Sequence, residues 1–309
     1  MIRIENLVKR YGDLVALDHL NLEVYEGEVF GLLGPNGCGK TTAISCLLAL
    51  LKFDKGKISI FGEEIKPDSY GMKRKIGIVP QDVAVFYELS VKENIEYFCG
   101  LYVADKIQRK KCVEEAIAFT GLEGYQKMRP HQLSGGLLRR LNIACGIAHK
   151  PKLIIMDEPT VAVDPQSRNH ILEGIQRLNR EGATVIYTSH YMEEVEQICT
   201  RISILDHGRS IATGTKEDLK RMIKMGERIT VEGIQVSEGQ IRAVKELPHV
   251  FRTEYDNQRL VICCSAAKKN LIRVLHYLEE EEVAFGKIFS ELPTLNDVFL
   301  EITGKELRD

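Results

Sequence analysis

A glycine-rich segment near the start of the chain carries the residue types that bind phosphate. It reads GPNGCGKT, follows a short apolar run and precedes an apolar helical pattern. Glycines let backbone N–H groups converge on phosphate oxygens, a lysine can reach the terminal phosphates, and a threonine hydroxyl can ligate Mg²⁺. The predicted phosphate-binding residues are Gly34, Pro35, Asn36, Gly37, Cys38, Gly39, Lys40, Thr41 and Thr42. Thr42 is expected to begin a helix whose positive end faces the nucleotide.

A pair of acidic residues follows a second apolar run, in the sequence LIIMDEP. A buried parallel strand delivers residues at its carboxyl end to the edge of the sheet where ligands bind. Asp157 is predicted to hold Mg²⁺, and Glu158 to act as the general base that activates a water for attack on phosphate. Adjacent acids at a strand end can also cap a helix, but the phosphate-binding segment favours the catalytic interpretation.

These motifs depend on a sheet to position them. Short apolar runs alternate with helical patterns, which predicts a mostly parallel sheet with helices on its faces. The predicted strands are 28–33, 76–79, 153–156, 184–188 and 202–205. Residues of about 86–149 lack a strong strand signal and are interpreted as a helical insertion.

The pattern changes after about Thr215. Candidate strands at 228–232, 250–255 and 260–263 surround helical segments such as 266–282, which indicates a small α+β domain. Near the end of the chain, Thr294 is a candidate N-cap with Asp297 three residues later, before an apolar stripe. Two domains are therefore predicted, 1–215 and 216–309.

Composition limits the function classes. The 42 basic and 44 acidic residues nearly cancel, so no nucleic acid partner is expected. The eight cysteines form no Cys-x-x-Cys pair and no secretory signal is evident, which favours reduced thiols in the cytoplasm. The most apolar stretch, 43–51, is far shorter than the about 20 residues that span a bilayer. Any membrane role is therefore expected to come through a partner.

The segment LSGGLLRRLNIACGIAHKPKLIIMDEPT, at 133–160, resembles the ATP-binding cassette (ABC) ATPases. The resemblance covers about residues 1–215. It implies an α/β phosphate-loop NTPase cassette with a mostly parallel sheet core, an antiparallel β edge and a helical subdomain, followed here by the α+β domain. It also implies that Ser134, Gly135 and Gly136 bind the γ-phosphate of ATP held on the opposite subunit. The family usually has glutamine where this chain has Leu137.

The same resemblance assigns four further positions. Tyr11 is similar to the aromatic residue that stacks on adenine, and Gln81 to the glutamine that senses Mg²⁺ and the membrane partner. His190 corresponds to the histidine that bonds the γ-phosphate and links it to Glu158. Asp164 matches the aspartate of the loop that joins the two sites of a dimer, although Ala162 and Val163 depart from the family's usual residues.

The implied function is an ATP-hydrolysing subunit that uses ATP and Mg²⁺. It would form a homodimer or heterodimer of cassettes and drive integral membrane permease subunits from the cytoplasmic face of the membrane. The C-terminal PTLNDVFLEITG and the segment VFYELSVKENIEYFCGLY are similar to those of exporter cassettes for drugs, polysaccharides, lipids or sodium. Alternatives are a soluble or regulatory ABC-type ATPase not coupled to transport, and a GTPase, for which no Asn-Lys-x-Asp motif is present.

Three cysteines give further hypotheses. Cys38 lies within the phosphate-binding segment, so its thiol is expected near the nucleotide, where alkylation would block ATP binding. Cys263 and Cys264 are adjacent in a predicted strand and point to opposite faces. They are therefore interpreted as packing residues rather than a shared metal site.

Overall fold

Two compact units make up the chain, which the computed structural model describes for residues 1–304. The first unit ends at Thr215 and the second begins at Lys216. The elements of the first unit are β1 (Ile2–Tyr11), β2 (Leu14–Val24), β3 (Val29–Leu33), α1 (Lys40–Leu47), β4 (Lys55–Ile60), β5 (Glu63–Glu64), α2 (Tyr70–Lys73), β6 (Ile76–Val79), α3 (Val91–Gly100), α4 (Lys106–Thr120), α5 (Gly135–Ile147), β7 (Leu153–Asp157), α6 (Pro165–Arg180), β8 (Thr184–Ser189), α7 (Met192–Ile198), β9 (Arg201–Asp206) and β10 (Arg209–Gly214).

The central sheet of this unit has six strands in the order β10-β9-β3-β8-β7-β6. Neighbours from β9 to β6 run parallel, and β10 joins β9 as an antiparallel edge strand. Every residue of β3, β7 and β8 is buried, because helices cover both faces of a parallel sheet. The five predicted strands are β3, β6, β7, β8 and β9, so the mostly parallel core is confirmed.

A second sheet of the first unit is antiparallel, with the order β2-β1-β4-β5. The resemblance implied an antiparallel edge, but the strand runs found from apolar patterns did not include these four. Register shifts interrupt the pairing of β1 with β2 after Ile4 and again after Leu7, which disturbs the simple alternation of apolar residues. Side chains of both sheets and of α1 share one apolar core.

The predicted helical insertion is confirmed as α3, α4 and α5 with their connections. These helices enclose a separate apolar core, to which Ile95, Val113 and Leu141 contribute fully or almost fully buried side chains. Hydroxyl and carboxylate N-caps define the helix starts: Ser90 forms a capping box with Glu93, and Asp105 caps α4.

The second unit contains a four-stranded antiparallel sheet and, among the residues that the structure describes, four helices. Its elements are α8 (Lys216–Arg221), β11 (Met225–Glu232), α9 (Glu238–Glu246), β12 (Val250–Asp256), β13 (Arg259–Ser265), α10 (Asn270–Glu280), β14 (Lys287–Glu291) and α11 (Leu295–Thr303). Strand order β12-β13-β11-β14 with two crossing helices is the split βαβ arrangement.

The three strands predicted in this region are confirmed, whereas β14 and α9 were not predicted. The helix predicted over 266–282 is shorter, since α10 begins at Asn270. The predicted cap of the last helix is confirmed, because Thr294 and Asp297 form a reciprocal capping box at the start of α11. Within residues 1–304, no helix is long and apolar enough to cross a membrane.

The core of the helical insertion should contribute strongly to stability. Leu141 of α5 is fully buried, so Leu141→Ala is expected to lower the free energy of unfolding by about 2–5 kcal/mol, through lost burial and the cavity left behind. Urea denaturation followed by circular dichroism measures this. Leu101→Ala removes an exposed leucine of the same insertion and should change stability by less than about 0.5 kcal/mol. Equal effects of the two variants would contradict the burial of Leu141 in this core.

Candidate active site

The phosphate-binding segment connects β3 to α1. Gly34 follows β3 directly, and a Cβ atom there would lie 2.3 Å from the carbonyl oxygen of Leu205, so only glycine fits. Gly37 and Gly39 have positive φ angles of 78° and 111°, which side chains disfavour. Gly39 is the N-cap, and α1 therefore begins at Lys40. The prediction that the helix begins at Thr42 was wrong by two residues, because left-handed Gly39 allows the turn to close earlier.

Lys40 is the cation of this site and is only 5% exposed. Its Nζ donates hydrogen bonds to the carbonyl oxygens of Gly34 (2.8 Å) and Pro35 (3.2 Å). The same Nζ lies 3.1 Å from Oε1 of Glu158. A buried ammonium needs this kind of compensation, since its desolvation is costly without acceptors and a counter-charge. Lys40 is thus held between the loop and the acidic motif.

The acidic motif lies at the carboxyl end of β7, beside the end of β8. Thr188 pairs in register with Asp157, and its hydroxyl donates to Asp157 Oδ1 at 2.6 Å. The same hydroxyl oxygen accepts a hydrogen bond from the backbone N–H of Glu158 at 2.9 Å. Glu158 has a φ of 46°, a left-handed conformation that is unfavourable for a residue with a side chain. Thr188 therefore fixes the turn that orients both acids.

Thr188 was absent from the residues predicted from sequence. The signal was present, however, because two hydroxyl residues, Thr188 and Ser189, end the strand ATVIYTS before His190. Only the parallel register of β7 and β8 shows that the Thr188 hydroxyl faces Asp157.

His190 follows β8 and completes the central contacts. Its Nδ1 lies 3.2 Å from Oε2 of Glu158, so the two carboxylate oxygens of Glu158 face Lys40 and His190 respectively. The ring of Tyr191 packs against the imidazole with a centroid distance of 4.1 Å. The structure therefore brings Lys40, Glu158 and His190 together, with Asp157 adjacent in sequence.

The LSGG segment begins α5. Ser134 is its N-cap and accepts a hydrogen bond from the backbone N–H of Leu137 at 3.3 Å. Gly135 and Gly136 form the first turn, and a Cβ atom on Gly136 would lie 2.4 Å from Ser167 Oγ. The side chain of Leu137 is half-buried and packs against the core of the helical insertion. An apolar residue at this position thus contributes to that core.

Asp164 lies in the loop after the acidic motif and caps α6. Its carboxylate accepts the backbone N–H of Ser167 at 2.9 Å, and this hydrogen bonding lowers the pKa of Asp164. The carboxylate is also close to the start of α5, since a Cβ on Gly136 would lie 3.0 Å from Asp164 Oδ2. The two segments that the resemblance assigned to a dimer contact therefore meet within one cassette.

Gln81 and Tyr11 lie at the periphery. The Gln81 side chain is exposed, while its backbone carbonyl accepts a hydrogen bond from Arg139 at 2.7 Å, which ties this loop to α5. Tyr11 ends β1 and is 49% exposed. In the described part of the chain, neither side chain hydrogen bonds to Lys40 or Glu158.

The cysteines are all buried. The sulfur of Cys38 belongs to the core that both sheets share with α1, which places it among apolar side chains. Burial raises the pKa of the Cys38 thiol to about 11, and nearby Lys40 offsets this in part. Cys263 and Cys264 are likewise buried, and Cys264 packs in the core of the second unit. Among residues 1–304, no group of three or more His, Cys, Asp or Glu side chains could hold a metal ion.

Fold and site together define a phosphate-loop ATPase of the ABC cassette class. A family model described as "ABC transporter" matches residues 17–161. The chain is 41% identical to the linearmycin resistance ATP-binding protein LnrL of Bacillus subtilis (strain 168), over 100% of both chains. It is 34% identical to the daunorubicin resistance ATP-binding protein DrrA3 of Streptomyces coeruleorubidus, over 99% of this chain and 97% of that protein.

A solved structure gives a matching result. The dimeric post-hydrolysis state of the ATP-binding cassette MJ0796, bound to ADP and Pi, superposes with a TM-score of 0.64 at 28% identity. The match covers 70% of this chain and 98% of that one. The chain therefore belongs to the ATP-binding proteins of ABC transporters. The predicted cassette fold, ATP-binding function and ATPase activity are confirmed, as is the resemblance to exporter-type cassettes.

Burial should make the Cys38 thiol slow to react. The thiolate is the nucleophile, and a pKa of about 11 leaves a minute thiolate fraction at pH 8. We expect iodoacetamide to label Cys38 at least about 100-fold more slowly than N-acetylcysteine at pH 8, with labelling increasing as pH rises towards 11. Peptide mass spectrometry over time measures both rates. Labelling of Cys38 at the rate of the model thiol would contradict the buried position.

Proposed function

We propose that this chain hydrolyses ATP with Glu158 as general base, in a dimer of cassettes that drives an exporter. The observation that carries the proposal is the pair of contacts made by Glu158, to Lys40 at 3.1 Å and to His190 at 3.2 Å. A carboxylate held beside a phosphate-binding lysine is placed to accept a proton from a water that attacks the γ-phosphate. His190 would orient that carboxylate and bond the γ-phosphate.

Lys40 has a different role in this scheme. Its ammonium is already pre-positioned by the carbonyl oxygens of Gly34 and Pro35 at the mouth of the loop. Phosphoryl transfer needs mainly positioning and charge stabilisation, which Lys40 and the backbone N–H groups of Gly37 and Gly39 can supply. ATP binding would then draw the ammonium towards the β- and γ-phosphates and release Glu158 for catalysis.

Mg²⁺ fits the residues at this edge of the sheet. Asp157 uses Oδ1 to accept from Thr188, which leaves its second carboxylate oxygen for a water of the metal. Thr41 offers an exposed hydroxyl in the first turn of α1, and Gln81 an exposed amide oxygen. Few protein ligands are expected, because Mg²⁺ keeps several waters and takes substrate phosphates as ligands. When bound, Mg²⁺ neutralises charge on the phosphates.

A second cassette would complete each site. Ser134, Gly135 and Gly136 present backbone N–H groups at the positive end of α5, a ready anion site for the γ-phosphate of ATP on a partner. Asp164 lies beside them and would contact that partner, while the exposed Tyr11 would stack on adenine. The partner is either a second copy of this chain or a related cassette. The dimeric structure of MJ0796 supports this arrangement.

Transport then requires membrane subunits. The names of the relatives include drug resistance and Nod factor export, which supports export as the direction. The chain would bind integral permease subunits as a peripheral protein on the cytoplasmic face of the membrane. Closure around two ATP molecules and reopening after hydrolysis would alternate the permease between two states. Residues 216–309 would form an accessory domain that supports dimerisation or regulation.

Glu158→Gln is the decisive variant. The amide retains the shape of the side chain and cannot act as a base, so hydrolysis should fall by at least about 100-fold while ATP binding remains. Phosphate release measures hydrolysis, and light scattering with ATP and Mg²⁺ measures dimerisation. We expect the variant to shift from monomer to dimer, since it binds ATP without consuming it.

The matched control is Glu173→Gln, which changes an exposed acid of α6. It should hydrolyse ATP at the wild-type rate. A Glu158→Gln protein that still hydrolyses ATP would refute the base assignment. A variant that stays monomeric at saturating ATP would favour a regulatory cassette that does not close without a partner.

Asp157→Asn tests the Mg²⁺ assignment. Loss of the carboxylate charge weakens attraction for the metal, so half-maximal hydrolysis should require at least about tenfold more Mg²⁺. A Mg²⁺ titration of the hydrolysis rate at fixed ATP measures this. An unchanged titration curve would mean that Asp157 has no part in the metal site.

A further inference from the structure

A buried carboxylate that none of the motifs includes lies close to the site. Glu194 belongs to α7, four residues after His190, and is only 3% exposed. Its neighbour Glu193 is exposed to solvent. Carboxylates are rarely buried unless their charge is compensated, so the partners of Glu194 indicate what it holds in place.

Oε2 of Glu194 accepts three hydrogen bonds from hydroxyl groups. The donors are Thr160 at 2.7 Å, Tyr187 at 2.7 Å and Ser189 at 3.1 Å. Burial and the Glu194 charge raise the pKa of Tyr187 well above its ordinary value, so its hydroxyl remains protonated and can donate. The second oxygen, Oε1, lies 3.2 Å from Nε of Arg168. One carboxylate therefore organises three hydroxyls and one guanidinium.

The donors come from the chain segments that carry the two central residues of the site. Thr160 follows Glu158 by two residues, in the turn where Glu158 has its left-handed backbone. Ser189 directly precedes His190, and its Oγ also accepts the backbone N–H of Tyr191 at 2.9 Å. Glu194 thus joins the turn after β7 to the turn after β8.

Arg168 extends the same network. It lies in the first half of α6, the helix that Asp164 caps, and its guanidinium lies 5.1 Å from the centre of the Tyr191 ring. Tyr191 in turn packs on the imidazole of His190. Glu194 therefore contacts Ser189 directly and is linked to Tyr191 through Arg168, so its network reaches both neighbours of His190 in sequence.

We propose that Glu194 is a positioning residue that fixes His190 against Glu158. Burying a charged network gains little stability over apolar packing of the same volume, whereas its directional hydrogen bonds define one geometry. The Nδ1 to Oε2 contact of 3.2 Å between His190 and Glu158 depends on two loops that Glu194 holds together. Displacement by about 1 Å can reduce a rate by about 100-fold.

Glutamine cannot replace this carboxylate. If its amide oxygen accepts from the three hydroxyls, its NH₂ group faces the guanidinium of Arg168 and the ion pair is lost. In the opposite orientation the amide oxygen no longer accepts from the three hydroxyls. Glu194→Gln should therefore weaken the connection between the turn after β7 and the turn after β8, with little change in side-chain volume. Among residues 1–304, no hydrogen bond or ion pair joins the phosphate-binding segment to Glu194, so ATP affinity should be retained.

The inference rests on the proposed roles of Glu158 and His190. The experiment is chosen so that failure of the inference and failure of those roles give different results. The single-turnover rate of ATP hydrolysis is measured with the full-length chain in excess, together with affinity for a fluorescent ATP analogue and the melting temperature. Glu194→Gln should lower the rate by about 10- to 100-fold, with affinity changed by less than about twofold. Glu193→Gln, the same change one residue earlier on the exposed side, should behave as wild type.

A double variant distinguishes positioning from general stabilisation. If Glu194 acts through His190, then adding Glu194→Gln should lower the rate of the His190→Ala variant by less than about twofold. A merely structural residue would reduce the rate by the same factor in both backgrounds. Ser189→Ala provides a second test with a minimal change of volume, and loss of its one hydrogen bond to Glu194 should lower the rate about fivefold.

A wild-type rate of hydrolysis in Glu194→Gln overturns the inference. So does an equal fold-loss of rate in the wild-type and His190→Ala backgrounds, or a loss of ATP affinity as large as the loss of rate. If Glu194→Gln does not fold, a wild-type rate in Ser189→Ala overturns it. If His190→Ala itself hydrolyses ATP at the wild-type rate, then the proposed role of His190 fails instead.

Discussion

The in-register parallel pairing of β3, β8 and β7 is the constraint on which the site depends. Leu33 at the end of β3 pairs with Ser189, and Asp157 at the end of β7 pairs with Thr188. The three loops that leave these strands therefore begin at one edge of the sheet. They bring Glu158 within about 3 Å of Lys40, which lies more than 100 residues earlier in the chain, and of His190, which lies 32 residues later.

Compensation of buried charges is the second constraint at this edge of the sheet. Lys40 and Glu158 are both buried, and each would be costly without the other. Glu158 also holds a left-handed backbone, which persists because Thr188 bonds its N–H and Asp157 together. A second buried acid, Glu194, organises the hydroxyls behind these turns. The site is thus held by polar groups whose geometry is specific, inside an apolar sheet that is rigid.

The two units differ in the residues that they contribute. The first contains every residue with an assigned role in ATP chemistry, and MJ0796 matches 70% of this chain and 98% of its own length. The second is a split βαβ domain with a core of its own, formed by residues such as Ile229, Ile262 and Leu278. The alignment with LnrL spans the entire chain and therefore includes the second unit.

The sequence by itself determined the ATPase class, the parallel core, the helical insertion and the residues of the main motifs. These features are encoded locally, in spacings such as Gly34 to Lys40 and in apolar runs whose length matches a buried strand. The antiparallel sheet was largely missed, because register shifts in β1 disrupt the alternation that identifies a strand.

Only the tertiary structure decided which side chains meet. Thr188, Tyr187 and Glu194 have no distinctive local spacing, and their roles follow from the register of β7 against β8 and from the packing of α7. The sulfur of Cys38 lies in the apolar core, although the residue belongs to the phosphate-binding segment. Leu137 likewise packs inward. Side-chain direction and cross-strand contact are long-range properties of the folded chain, so short motifs cannot specify them.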